Sequence, residues 1–256
     1  MRFVQHHAIL IFIPSVAQYT FCDMQVVSVA GIIRAMGEAY RTRLKRVCTT
    51  VECALFARLN SPQKIQDYLD TLPINFEIHG ETYMSPRRTI AEQTAHCLEG
   101  ALVAAAAFAY HGKAPLLLDF QTTHDDEDHV VAPFEIHGYW GAVSKTNHAI
   151  LRYRDPVYRS IRELALSYFH EYFNESGKKT LRTFSKPFDL SRYAPDQWVC
   201  ARDDLYWLVE ALDASRHFPV VPAKNVRALR SVSKIEIESM RHTEWKQPHK
   251  FILEDT

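Results

Sequence analysis

The sequence has no CxxC pair, and its five cysteines (Cys22, Cys48, Cys53, Cys97 and Cys200) are odd in number and scattered. That pattern argues against a disulfide framework and a zinc ribbon, and it suits a reducing compartment. Neither sign of charge is in excess: thirty Lys and Arg stand against thirty Asp and Glu. No global field therefore draws the chain to nucleic acid or to anionic lipid. No stretch reaches the roughly 18 continuous apolar residues that a membrane-spanning helix needs. Glycine-rich phosphate loops, internal repeats and low-complexity linkers are missing too, so one compact domain is expected rather than two. What is present is 256 residues, 47% of them hydrophobic and 23% charged, enough to bury one sizeable core.

The first 23 residues carry a signal-like pattern in outline. Arg2 precedes an apolar run from Ala8 to Ile13, and Ser15-Val16-Ala17 ends in small residues of the kind signal peptidase accepts. The run is short and Pro14 interrupts it. Residues 1–23 therefore read as an extension or weak signal-like segment on a cytoplasmic protein, with secretion as the alternative. Folding is expected from residue 24, because Val26, Val29, Ala30, Ile33 and Met36 fall at helical spacing before the basic Arg41 to Arg46. Beyond residue 240 the chain is polar and ends acidic, so 24–240 is expected to be one domain and 241–256 a flexible tail.

The stretch that organises the rest runs from Thr94 to Tyr110. It is apolar on nearly every side, rich in Ala and Leu, and followed by Gly112 and Pro115, which predicts a buried helix of about four turns. Cys97 falls in or near its first turn. There the unpaired backbone N–H groups and the positive end of the helix dipole favour a thiolate, so a nucleophile is expected if a base lies within reach. Most buried cysteines are merely small apolar residues, so the base decides the reading.

The neighbouring segments are punctuated clearly. Ser61-Pro62 and Ser85-Pro86 each pair an N-cap with a proline at the first helical position, predicting helices through Leu72 and about Gln93. Pro115 to Phe120 reads as a buried strand, and Gln121 to Asp128 as an acidic loop. His129 to Phe134 and Tyr139 to Ser144 then read as a hairpin. With its turn centred on Ile136 and His137, residue 134 pairs with 139 and His129 with Ser144, placing those two side chains on one face. Asp128 points to the other face, so it does not orient His129.

This order of parts resembles the transglutaminase-like superfamily, a branch of the papain-like cysteine fold. The resemblance is carried by Ala95-His96-Cys97-Leu98-Glu99-Gly100-Ala101, Asp128-His129-Val130-Val131-Ala132 and the Trp140-Gly141-Ala142 return, over roughly residues 61–150, with Leu151 to Arg159 matching further. It implies an α+β fold in which the Cys helix packs on an antiparallel sheet, with additional helices on both sides. It also implies Cys97 as nucleophile and His129 as general base, in a hydrolase or acyl transferase acting on a peptide or small amide. Where that family places an Asp, this chain has Ser144, with Asn147 and Asp119 as other possible orienters. A hydroxyl holds the ring but stabilises imidazolium less than a carboxylate does. Gln93 and the Cys97 backbone N–H are candidate oxyanion donors. No cofactor or metal is implied.

Two other readings compete. His124-Asp125-Asp126-Glu127-Asp128-His129 offers six metal ligands in six residues, although contiguous ligands rarely converge on one ion. Ser144 in place of a carboxylate favours a catalytically silent fold used as an interaction module. Further along, Asp155-Pro156 is expected to open a long helix running from Val157 to Tyr172, Thr180 to Phe184 a strand, and Asp203-Asp204 another helix.

Overall fold

A computed structural model describes residues 29–247, so the calls on residues 1–23, on a domain start at residue 24 with Val26, and on residues 248–256 lie outside the described residues. Five helices come first: α1 (Val29–Val47), α2 (Thr50–Arg58), α3 (Pro62–Thr71), α4 (Pro86–Glu92) and α5 (Cys97–Tyr110). Their starts follow from their caps. The Ser61 and Ser85 hydroxyls accept from Lys64 N–H and Arg88 N–H, each with proline next, and Thr49 forms a capping box with Glu52. Strands β1 (Leu116–Gln121), β2 (His129–Ile136), β3 (Tyr139–Val143) and β4 (Arg154–Tyr158) follow, then α6 (Ile161–Tyr168), β5 (Thr183–Ser185) and β6 (Phe188–Asp189). The chain continues through α7 (Pro195–Trp198), α8 (Tyr206–Asp213), β7 (His217–Pro219) and α9 (Lys234–Met240).

The fold is α+β. One antiparallel sheet runs β4-β3-β2-β1-β5-β7, with β6 also on β1. Period-two alternation sorts the sheet into two faces. Leu117, Val130, Ala132 and Val143 face the core built around α5, whose residues Leu98 to Ala109 are all buried. Leu118, Phe120, Val131 and Ala142 face a second core with Leu164, Ala165 and Tyr168 of α6. Thus α5 lies on β2 with α1 to α4 around it, and α6 covers the opposite face. No described helix is long and apolar enough to cross a membrane.

The fold departs from the sequence expectations at the hairpin turn, at the long helix expected from Val157, and at the C-terminal segment, and the strand expected over Thr180 to Phe184 is the shorter β5. The hairpin turn is His137-Gly138, with φ of 52° and 83°; a type I′ two-residue turn needs left-handed backbone at both central positions, which draws Gly138 into the turn. Moving the centre by one residue shifts every pair by two, so Ile136 faces Tyr139 and Ala132 faces Val143. The expected long helix from Val157 is instead strand β4 followed by α6, because Ser160 caps a new start on Glu163 N–H. Pro156 is tolerated because β4 is an edge strand of the sheet. Finally, residues 241–247 are not a free tail. Glu244 N–H donates to Asn147 O, Thr243 bridges His148, and Arg152 pairs with Glu244 at 3.0 Å.

Gly100 in α5 makes a close approach necessary. A Cβ there would stand 2.5 Å from Lys145 Cβ, just beyond β3. Gly to Ala in a free helix gains about 1 kcal/mol; here the overpacking term, about 1–3 kcal/mol, prevails. Gly100→Ala is expected to destabilise the protein in chemical denaturation, and an unchanged or raised midpoint would contradict this packing.

Candidate active site

Cys97 occupies the first helical position of α5, half-buried, and the loop before it is pinned from the side. Ala95 N–H donates to Pro73 O, and Asn75 N–H returns to Ala95 O. His96 is the N-cap, its Nδ1 accepting from Leu98 N–H at 3.3 Å. Glu99 completes the capping box from full burial: it accepts from His96 N–H (3.0 Å), Met84 N–H (3.1 Å), Thr82 Oγ1 (3.0 Å) and Asn75 Nδ2 (3.2 Å). A buried carboxylate is tolerable only with such charge-assisted partners, and these tie loop 75–84 to the head of the helix.

His129 begins β2 and is buried, with Nε2 at 2.9 Å from Ser144 Oγ. The direction of that bond follows from its neighbour. Ser144 Oγ donates to Leu151 O at 2.5 Å, so it accepts from His129 Nε2–H and leaves Nδ1 for the thiol. The expected pairing was two residues out of register, yet the contact forms. Continuing the observed ladder puts Ser144 opposite Val131, two residues from His129 and therefore on the same face. Ser144 is itself clamped by Gln66 of α3, whose Oε1 accepts from Ser144 N–H (3.0 Å) and whose Nε2 donates to Ser144 O (2.8 Å). Behind Leu151, its N–H donates to Glu171 Oε2 at 2.7 Å, and Glu171 pairs with Arg154 at 2.6 Å. A carboxylate is present, but the Ser144 hydroxyl and the Leu151 backbone stand between it and the ring, where a direct triad would have it touch the ring.

The other candidate orienters are engaged elsewhere. Asn147 spends both ends of its amide on Trp245, donating to its carbonyl (3.0 Å) and accepting from its N–H (2.8 Å), so it anchors the C-terminal segment. Asp119 lies beside the sheet residue that pairs with His129 and bonds His217 Nε2 at 3.0 Å instead. Burial lifts its pKa to about 6, with His217 opposing. Gln93 is also a correction. It takes the left-handed C-cap of α4, is exposed, and donates to Ile90 O and the Tyr68 hydroxyl, away from the thiol. The acidic loop does not converge: Asp125 pairs with Lys178 and Asn174, Asp126 accepts from Thr180, and Asp128 Oδ1 accepts from Thr122 N–H. Among the described residues no group of three or more His, Cys, Asp or Glu is placed to hold a metal ion.

Electrostatics favour a thiolate at Cys97. Burial alone would raise its pKa, but hydrogen bonding to His129, and then to His96, outweighs that and holds it well below 9. His96 Nδ1 lies 4.0 Å from Sγ while its Nε2 meets Thr82 O at 2.8 Å. Burial opposes a charge on His96, yet the adjacent thiolate, Glu99 and the Thr82 carbonyl lift it to about 9. Its Nδ1 either accepts from Leu98 N–H or, when protonated, faces the thiolate. By contrast, burial and Glu52 push Cys48 up to about 12, and burial raises Cys200.

A cavity of about 420 Å³ opens over the thiol. Its walls include Cys97, His129, Tyr172, Asn75, Lys145 and Met240, and Glu77, Asp126, Glu127 and Asp128 contribute carboxylates to its rim. Gln66, Glu99, His96 and Tyr172 were not singled out from the sequence. A signal existed for two of them. Gln66 interrupts the buried face of α3 between Ile65 and Leu69, and Glu99 stands at the third position of a helix otherwise apolar throughout. No protein-family model matches the chain, and no curated protein is detectably similar to it.

Iodoacetamide should label Cys97 ahead of Cys48 and Cys200, and its rate should be flat through neutral pH, because a depressed thiol pKa leaves the thiolate present down to that pKa. In His129→Ala the effect of burial is no longer offset by the His129 hydrogen bond, so the inflection should move upward; mass-spectrometric alkylation profiles against pH read this. Ser144→Ala strands His129 Nε2–H and Leu151 O together, and should cost about 1–3 kcal/mol in unfolding free energy. A neutral effect of Ser144→Ala on the denaturation midpoint would contradict the assigned hydrogen bonds.

Proposed function

We propose that the protein is a cysteine hydrolase or acyl transferase of transglutaminase-like, papain-like type, acting on an amide bond through Cys97 and His129. The observation that carries the reading is the meeting of a thiol at the head of a buried helix with an imidazole whose far nitrogen is held by Ser144. In this scheme the Cys97 thiolate forms a bond to the acyl carbon as the carbonyl π pair moves onto oxygen. Collapse of that intermediate restores the carbonyl and breaks the C–N bond, and the departing nitrogen takes the proton from the His129 imidazolium. His129 then accepts a proton from water or an amine as that oxygen or nitrogen bonds to the acyl carbon; the Sγ–C bond breaks, its pair returns to sulfur as the thiolate, and the product is the acid or a new amide. The substrate is a peptide or small amide small enough for a 420 Å³ cavity. No cofactor enters any step, and the free thiols Cys48, Cys53, Cys97 and Cys200 suit a reducing compartment such as the cytoplasm.

The test uses p-nitrophenyl acetate as acyl donor, with p-nitrophenolate release followed by absorbance and the Cys97 peptide by mass. Wild type should show a burst and an acetyl adduct on Cys97. Cys97→Ala should abolish both, and His129→Ala should slow release by about 10²- to 10⁴-fold, the usual contribution of a general base. Adducts spread over Cys48, Cys53 and Cys200, with none favoured at Cys97, would reject the enzyme reading in favour of the silent fold.

A further inference from the structure

The site as described lacks a side-chain donor for the oxygen that becomes negative when the thiolate adds to a carbonyl. Most polar groups around the thiol already have partners. Asn75 Nδ2 is spent on Thr82 and Glu99, Lys145 Nζ on the Leu72 carbonyl at the end of α3, and Asn147 Nδ2 on Trp245. Gln93 faces elsewhere. At the helix head, His96 N–H goes to Glu99 and Leu98 N–H to His96, while Cys97 N–H has no acceptor among the described residues.

One wall residue is different. Tyr172 is almost wholly buried, and its hydroxyl has no hydrogen-bond partner among the described residues although the residue lines the same cavity as Cys97 and His129. Its ring is fixed edge-on to Phe120, centroids 6.3 Å apart, and its carbonyl accepts from Thr180 N–H, so the side chain is held while its polar tip is left over. Buried hydroxyls normally find a partner, and one left without a partner at a reaction site calls for an explanation.

We propose that the Tyr172 hydroxyl is a catalytic residue: with the Cys97 N–H it forms the oxyanion hole, donating to the acyl oxygen as the Sγ–C bond forms and the carbonyl pair moves onto that oxygen. When the pair returns and the leaving group departs, the donor is released unchanged. The proposal rests on the acyl-transfer reading of Cys97 and His129. The hydroxyl suits this task in two further respects. Burial, followed by the negative charge of Cys97 and Asp119, keeps its proton on far above neutral pH, so it is a donor wherever the thiolate is active. It is also screened from bulk water, and a fixed donor in a water-excluded site acts more strongly on developing charge than one in solvent. Donor distances in an unliganded site commonly tighten only when substrate is bound.

Tyr172→Phe removes the hydroxyl and keeps the ring, and two reactions of the same thiol separate its roles. Iodoacetamide is attacked at a saturated carbon, iodide leaves, and no oxyanion forms; p-nitrophenyl acetate is attacked at a carbonyl and must form one. Tyr172→Phe should leave the alkylation rate within about twofold, and should slow acetylation of Cys97 by about 100-fold, the usual loss of one oxyanion donor. The melting temperature should not fall, because an unpartnered hydroxyl contributes no bond to lose. Equal slowing of both reactions would mean that Tyr172 acts on the thiolate or the fold, and no slowing of either would mean that it does nothing; each overturns the proposal. Failure of the underlying reading looks different, since wild type would then show no more acetylation than Cys97→Ala, and the oxyanion hole would fall with it.

Discussion

The buried carboxylate of Glu99 is the constraint on which the site depends. It sits in the first turn of a helix with no other polar side chain along its buried length, and its oxygens are satisfied by groups from three separate places in the chain: Asn75, the Thr82 to Met84 strip, and the His96 backbone. A carboxylate carried into such surroundings without those donors would be far too costly to retain. Their convergence fixes where the head of α5 stands against loop 75–84, and so where Cys97 stands. The apolar remainder of α5 then does the ordinary work of a core helix, burying Ala and Leu against the sheet.

On the other side of the thiol the equivalent task falls to a neutral group. Ser144 holds His129 through a hydroxyl that is itself polarised by donating to the Leu151 carbonyl, and Gln66 holds Ser144 by both backbone groups. The ring is therefore well oriented without a carboxylate next to it. The nearest carboxylate in this chain of contacts, Glu171, is shared between Leu151 N–H and Arg154. Orientation and charge stabilisation, which a single aspartate supplies together, are separated here.

Much of this was legible in the sequence where local chemistry is strong. Ser-Pro pairs marked α3 and α4, and an Ala-rich run marked α5 with Cys97 at its head. The meeting of His129 with Ser144 survived a wrong turn centre for a geometrical reason: the error displaced the ladder by an even number of residues, and strand side chains repeat every two. An error of one would have put them on opposite faces. What could not be read was tertiary. Val157 and Tyr158 fit a helical stripe as well as a strand, and only pairing with β3 decides between them. Asn147 looked like a ring orienter by spacing, but its amide matches the Trp245 backbone, nearly a hundred residues later. Gln93 precedes the cysteine closely in sequence, yet the left-handed turn at the end of α4 carries it away.

The strap formed by residues 243–245 ties back to the segment from Asn147 to Arg152, and that segment supplies the carbonyl on which the Ser144 hydroxyl is anchored. In the order of synthesis this matters. When Ser144 has been added, after Cys97 and His129, about a hundred residues are still to be made before the strap exists. The nascent chain therefore holds the thiol, the imidazole and the hydroxyl before their outer brace exists, and their alignment gains its full support only once the strap has emerged and docked.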